Sequence, residues 1–417
     1  MSNEAQPARS LPTHAPMDQF ARQGDELLIG GMPLSRLAAR VGRTPFYAYD
    51  RSLLSQRVAE LRAALPSGLK LHYAMKANPM PAVVCHMAGL VDGIDVASAG
   101  ELRVALDSGA DPAEISFAGP GKRHEELAQA VAAGILINIE SFREVSLLAE
   151  ITRDSGYRAR VAVRVNPDFE LKHSGMKMGG GPKQFGVDAE QVPELLAAIG
   201  RAELDFEGFH LFSGSQSLKP EAIVDAQCQS YALALRLAEH APSPVRFLNL
   251  GGGFGIPYFP GEQRLDLASI GANLAQIQRE AREALPQAEL VIELGRYLVG
   301  EAGIYVARVL DRKVSRGQVY LVTDGGLHHH LSASGNFGQV IRKNYPVAIG
   351  NRLEAPVESG VSVVGPLCTP LDLLGDKMNL NEAQPGDLVV IYQSGAYGHT
   401  ASPQAFLGHE AALEVLV

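Results

Sequence analysis

The sequence predicts an α/β protein, a (β/α)8 TIM-like barrel over residues 46–295 followed by a mostly antiparallel C-terminal β domain over 296–417. Three observations carry this prediction. Between residues 69 and 293, short apolar runs alternate with amphipathic helical patterns, the signature of parallel βα units. The runs number eight, the count that closes a barrel. After Arg296 the helical patterns thin out and strand-like segments follow one another. A doubly wound sheet uses the same alternation, so periodicity leaves that topology open.

The elements follow in order. Residues 1–20 are rich in Pro, Ser and Ala without a long apolar run, and are expected to be a disordered tail, not a signal peptide. Residues 21–45 hold a short strand at 26–29 and a short helix at 34–41, and are expected to join the β domain. A further strand at 44–50 ends in Asp50, placed to cap a helix over 52–65. The barrel strands are expected at 69–77, 93–97, 114–118, 135–139, 160–165, 206–212, 246–250 and 289–293. Helices are expected between them at 101–108, 125–133, 142–152, 220–240 and 267–284. Strands at 304–312, 318–323, 361–364 and 387–392 complete the chain.

Composition narrows the function. The 417 residues are 46% hydrophobic, enough for a large core, and the net charge of -9 argues against a nucleic-acid surface. No stretch is apolar enough to span a membrane. Cys85, Cys228 and Cys368 are far apart without CxxC spacing, so disulfides and a zinc site are not expected and a reducing cytoplasm is.

In a barrel, catalytic groups sit at the C-terminal ends of the strands. The first strand ends at Lys76, which is either an edge-strand lysine in solvent or an amine with chemistry to do. The second delivers Asp95 and then Glu101, the fifth Arg164 and Asn166. The sixth ends in Phe212-Ser213-Gly214-Ser215, the seventh in Gly251-Gly252-Gly253, the eighth in Glu293-Leu294-Gly295-Arg296. Glycines after a strand let backbone N–H groups approach an anion, although a tight turn explains them too. The run lacks the GxGxxG pattern of a dinucleotide site. Ser215 and the backbone at Gly295-Arg296 would complete a phosphate cradle. A phosphate, a lysine and a carboxylate together suggest pyridoxal 5'-phosphate, with Lys76 as its covalent anchor and Glu293 facing the pyridine nitrogen. A structural Glu293–Arg296 pair is the simpler alternative for those two residues.

Taken together, these residues resemble the fold-type III pyridoxal phosphate decarboxylases, the family of diaminopimelate, ornithine and arginine decarboxylases. The resemblance rests on Tyr73-Ala74-Met75-Lys76-Ala77-Asn78, Asp95-Val96-Ala97-Ser98 with Glu101, Gly251-Gly252-Gly253 and Glu293-Leu294-Gly295-Arg296. Gly365-Pro366-Leu367-Cys368 with Asp372, and Gly395-Ala396-Tyr397-Gly398, extend it over residues 44–400 in the family's order. It implies an alanine racemase-like barrel plus β domain and a homodimer with shared active sites. It also implies Cys368 as a proton donor from the partner subunit, Asp372 as a substrate contact and Tyr397 near the cofactor phosphate. Asp95, Arg164, Phe212 and Arg296 complete the expected cofactor set, with Arg296 also reaching the substrate.

Three departures refine the expectation. Phe212 stands where the family usually has a histidine stacked on the cofactor ring; it can stack but cannot donate a hydrogen bond. His210, on the same strand face, either compensates in part or only packs. Leu294 replaces a proline. Thr369 stands where diaminopimelate decarboxylases carry a glutamate, and the loops at 324–330 and 335–338 lack the Arg-Pro and Leu-Tyr that hold that substrate. The pattern is closer to the branch with carrier-protein-linked glutamyl decarboxylases and exosortase A system-associated decarboxylases. An amino acid or aminoacyl substrate is therefore expected, with diaminopimelate decarboxylation as the alternative and an amino-acid racemase disfavoured by Glu293 and Cys368. The consecutive His328, His329 and His330 are expected to be pocket or structural residues, since strand neighbours point to opposite faces and cannot share one ion.

Overall fold

The computed structural model describes residues 12–169, 175–177 and 179–417. Its eight central strands are Lys70–Ala74, Gly93–Val96, Ile115–Phe117, Leu136–Ile139, Arg160–Asn166, Asp205–Leu211, Phe247–Gly252 and Glu289–Leu294. Each pairs in parallel with its neighbour in this order, and Glu289–Leu294 returns to pair with Lys70–Ala74, which closes the barrel. The first strand stops at Ala74, three residues before its expected end, because Met75–Ala77 turns into a 3-10 helix.

Local sequence sets the helix starts. Asp50 caps Arg51–Ala64 by accepting from the N–H groups of Ser52 and Leu53, while Ser98 caps Ala99–Asp107 and Ser141 caps Phe142–Ser155. Two helices lie outside those expected, Pro81–Ala88 and the amphipathic Val192–Arg201, whose Val192, Leu195, Leu196 and Ile199 are buried on one face. The first, PAVVCHMA, is apolar on nearly every side, so no 3.6-residue period stands out.

The strands alternate with a consequence for the site. Leu71, Tyr73, Ile94, Ile115, Phe117, Ile137 and Val163 are buried apolar side chains of the main core. The intervening residues are polar and hydrogen-bond strand to strand around the inside. His72 Nδ1 lies 3.0 Å from Asp95, Ser116 Oγ donates to Asp95 at 2.6 Å, and Asn138 Nδ2 donates to Ser116 at 3.2 Å. Burying such groups is tolerable only when they satisfy one another.

The second unit is an eight-stranded sheet in which the long strand Gly303–Ser315 pairs antiparallel with Leu388–Ile391 and with Gln318–Thr323. Phe46–Tyr49, assigned above to the barrel, lies in this sheet. It pairs with Gly303–Val306 on one side and in parallel with the C-terminal strand Leu413–Leu416 on the other. The 22–33 segment forms its own three-stranded sheet, and Leu27, Ile29, Leu34 and Leu37 pack with Phe46, Ile304 and Val390 in a second core.

Of the tail expected over residues 1–20, residues 1–11 lie outside the described residues. Residues 12–20 are packed down: Gly261 N donates to the carbonyl of Thr13, His14 Nε2 lies 2.8 Å from the carbonyl of Asn344, and Phe20 is buried in the second core. Phe20 supplies the apolar anchor that the Pro- and Ser-rich composition concealed. Among the described residues, no helix is long and apolar enough to cross a membrane.

Candidate active site

Lys76 sits on the turn just past the first strand, exposed to a small cavity at the C-terminal rim and not buried in a strand. The turn is held from the second unit. Asn78 Nδ2 donates to the carbonyl of Gly395, and the N–H of Tyr397 donates to the carbonyl of Ala77. Tyr397 itself has φ +51°, a left-handed conformation rare for a bulky residue, which the surrounding contacts enforce.

The cavity measures about 30 Å3, and its lining brings together Lys76, Phe212, Ser215, Gly253, Glu293, Gly295, Arg296 and Tyr397. The Lys76 amine stands 5.6 Å from the centre of the Phe212 ring. Opposite, Glu293 is buried, accepts from Asn249 Nδ2 at 3.2 Å and pairs with His210 Nε2 at 2.7 Å. Burial pushes its carboxyl up, but the neighbouring His210, Lys76 and Arg164 outweigh that and hold it down to about 2. Glu293 is therefore an ionised carboxylate at any ordinary pH. His210 is thus more than packing.

Arg296 is the cationic corner. Its Nη1 donates to Tyr258 Oη at 2.8 Å, and its guanidinium carbon lies 4.6 Å from the Tyr397 ring centre. Its Nε and the hydroxyl of Ser215 are buried without a protein partner among the described residues. Two unsatisfied donors on one small cavity, beside the glycine turn, fit the phosphate of pyridoxal 5'-phosphate. The lysine, the ring face of Phe212 and the Glu293 carboxylate fit the rest of that cofactor.

Not every expected residue reaches the cavity. Gly253 lines it, whereas Gly251 and Gly252 serve the packing beneath. A Cβ on Gly251, at φ +73°, would stand 2.6 Å from the carbonyl oxygen of Leu211, and one on Gly252 would collide with that of Glu293. Asp95 belongs to the polar barrel interior with His72 and Ser116, one layer below the rim. Arg164 pairs with Glu140 at 3.1 Å and bears on Glu293 only through its charge. Glu101 accepts from the N–H of Ala97; burial raises its pKa, and the nearby Lys76 opposes that.

The loop carrying Cys368 and Thr369 does not line the Lys76 cavity of its own chain; Cys368 is exposed and Thr369 half-buried. Asp372 has both carboxylate oxygens engaged within its own chain. It is buried, and its two oxygens accept from the N–H groups of Leu327 and Leu367, which ties the 365–372 loop to the 324–330 loop. Of the three histidines, His328 and His329 pack ring against ring with centroids 3.7 Å apart, while His330 turns elsewhere. His330 Nε2 lies 2.9 Å from Ser394 Oγ, and His329 Nε2 lies 2.8 Å from the carbonyl of Glu410.

Asn249 and Tyr258 escaped the sequence reading. An asparagine in the otherwise apolar run Phe247-Leu248-Asn249-Leu250, two residues before a glycine, is a usable signal for the first. Tyr258 carries none, because its partner Arg296 is 38 residues away.

Comparison with known proteins decides the family. Residues 51–300 match the family model described as the pyridoxal-dependent decarboxylase, pyridoxal binding domain. The chain belongs to the pyridoxal-dependent decarboxylases. It is 38% identical over 386 residues to L-glutamyl-[BtrI acyl-carrier protein] decarboxylase of Niallia circulans, covering 89% of this chain and 88% of that protein. It is 32% identical over 395 residues to diaminopimelate decarboxylase of Aquifex aeolicus, covering 94% and 90%. The crystal structure of diaminopimelate decarboxylase from M. jannaschii with L-lysine superimposes with a TM-score of 0.84 at 26% identity, covering 96% and 93%. Membership gives this decarboxylase its cofactor, pyridoxal 5'-phosphate, which the rim cavity suits residue by residue.

Proposed function

We propose that this decarboxylase removes the α-carboxylate of an aminoacyl substrate whose distal end is attached to a carrier, such as a carrier-protein-linked glutamyl group. The carrying observation is a rim that meets the cofactor's needs, taken with a neutral Thr369 at the sequence position of a distal charged clamp. The similarity to the glutamyl-[acyl-carrier protein] decarboxylase supports the same substrate class.

Pyridoxal phosphate bound at the rim supplies an electron sink for the bond that breaks at the substrate Cα. The chain's residues do the rest. Lys76 would hold the cofactor covalently through its amine. Ser215 and Arg296 fix the phosphate, and Phe212 covers one ring face. Glu293, kept ionised by its neighbours, stabilises positive charge on the ring nitrogen, which sharpens the sink. The proton that replaces CO2 at Cα comes from the thiol of the partner subunit's Cys368, since Cys368 does not line the cavity of its own chain. The working unit is thus a homodimer with shared sites, and a reducing cytoplasm suits its free cysteines.

CO2 release measured across free amino acids and aminoacyl carrier proteins tests the substrate class. The expected result is turnover of carrier-linked or amide-linked glutamyl groups over free diamino acids, and robust release from meso-diaminopimelate would overturn it. Mixing Lys76→Ala with Cys368→Ala subunits tests the sharing: each variant alone is nearly inactive, and random re-pairing restores about a quarter of wild-type activity.

A further inference from the structure

A cavity of about 420 Å3 lies away from the rim and shares no lining residue with the one at Lys76. Part of its wall is the helix Arg51–Ala64, and part is Leu298, Glu301 and Ala302, just past Arg296 in the chain. The N-terminal arm closes it with Asp18 and Gln19. Arg264 pins the arm there, donating to Asp18 at 2.6 Å and to the carbonyl of Pro16 at 3.4 Å. The segment whose composition suggested a loose tail is thus one wall of a chamber.

Asp18, Glu60 and Glu301 line it against Arg57 and Arg264, an excess of one negative charge. Both guanidiniums are engaged. Arg57 pairs with Glu301 Oε2 and lies 4.7 Å from the centre of the Tyr297 ring, while Arg264 holds Asp18 and stands 3.5 Å from Glu301 Oε1. The atoms left over are acceptors. Glu301 is only 6% exposed, yet its Oε1 has no hydrogen bond among the described residues, and Gln19 Oε1 is buried in the same state. Glu60 accepts from the Gln56 amide at 2.7 Å and forms no ion pair among the described residues. A buried carboxylate oxygen without a donor is costly, and a ligand that brings N–H groups and one positive charge relieves it. A carboxylate ligand would compete with Asp18 and Glu301 for the same guanidiniums and add to the excess charge. Leu53, Leu298 and Ala302 supply the apolar part of the wall, which suits methylenes.

We propose that this cavity is a second ligand site, an effector site for a small aliphatic ammonium, with Glu301, Gln19 and Glu60 receiving its N–H groups. Decarboxylation of an amino acid or aminoacyl group yields an end of this class, a primary ammonium on a methylene, so the site is suited to feedback. The route to the rim is short. Leu298 and Glu301 follow Arg296 in one helical stretch, and the carbonyl of Gly300 accepts from the N–H of Gly395. The carbonyl of Gly395 in turn holds Asn78, two residues past Lys76. The ligand class rests on the cavity alone, and the feedback role rests also on the decarboxylase reading above.

The test is calorimetry at low salt on holoenzyme whose cofactor has been fixed to Lys76 by borohydride reduction, so that no amine can exchange there. The probes share one skeleton: n-butylammonium, butyrate and butan-1-ol. The ammonium should bind at one site per chain, at least about tenfold more tightly than either of the others. Glu301→Gln should weaken it by about tenfold or more, since a charge-assisted hydrogen bond is lost. Because that change also disturbs the buried pair with Arg57, Glu60→Lys on the exposed helix face is the second variant, with about a tenfold loss expected. Butyrate binding as tightly as the ammonium, no ammonium binding, or binding that Glu60→Lys leaves unchanged would overturn the site. For the feedback role, n-butylammonium should slow CO2 release by the unreduced enzyme, and Glu60→Lys should resist it by the same factor. Inhibition equal in the two enzymes would place the amine at the rim and overturn that role. The binding arm needs no known substrate, so failure of the decarboxylase reading would leave the site standing.

Discussion

Two lysines bracket the first barrel strand and have opposite surroundings. Lys70, at its start, lies 2.6 Å from Glu114 and 2.7 Å from Glu289 at the N-terminal mouth. Burial pulls its pKa down, but the two carboxylates more than restore it and hold it above the ordinary value. Lys76, just past the strand's end, faces a ring and a cavity, and no carboxylate of the described residues forms an ion pair with it. A lysine clasped between acids is a strut. A lysine with no carboxylate in ion-pair contact, beside a cavity, is a nucleophile in waiting. A similar division recurs in the barrel: at the floor, Arg160 and Arg246 are paired off with Glu207, whereas at the rim Ser215 and Arg296 keep donors in hand.

The comparison can be broken in four ways, and the largest effect is expected at Lys76. Lys76→Ala should abolish the visible absorption of lysine-bound cofactor and lower kcat by at least about 10^3-fold. A variant that keeps that absorption would remove the lysine from its role.

Glu293→Gln should keep the cofactor but lower kcat by about 10^2- to 10^3-fold, since it removes a charge aimed at the reacting system. It has a pH signature as well. A carboxyl held down to about 2 in the fold and ordinary when unfolded stabilises the protein above pH 4.5, and that contribution is lost as pH falls toward 2. Melting temperatures across that window should therefore fall less steeply for the variant.

In the second unit the expected effect is on stability alone. Burial holds His330 down to about 3, so it stays neutral in the fold while the unfolded chain takes up a proton below pH 6.5. Stability should decline from pH 6.5 toward 3, by at most about 1.4 kcal/mol per pH unit from this group. His330→Gln should flatten that slope in pH-dependent denaturant melts, and an unchanged slope would assign the decline to other groups.

The smallest effect belongs to Lys70. Lys70→Met should cost about 1 kcal/mol or less in a denaturation midpoint, because partly exposed ion pairs contribute little, and kcat should stay within about twofold. A large loss of kcat would show that floor and rim are coupled through the polar interior.

Much of this molecule was written locally. The period-two strands and the 3.6-period helices placed seven of the barrel strands to within about two residues, and strand ends in a barrel lead straight to Lys76, Phe212, Glu293 and Arg296 at one rim. Where the local signal failed, its physical cause is visible. Pro81–Ala88 lacks a polar face, and Leu373–Asn381 is broken by Gly375, a register shift and Lys377 at φ +48°. The sequence by itself determined the fold class, the rim and the cofactor chemistry, because side-chain period and residue type are properties of a segment. Tertiary structure alone decided that Asp95 faces His72 inside the barrel, that Asp372 holds two loops together, that Phe46–Tyr49 joins the second sheet, and that Arg296 meets Tyr258 and Tyr397 at the rim. Each of those is a choice of partner distant in the chain, and partners are fixed by how closed sheets bring remote residues together, which no local period encodes.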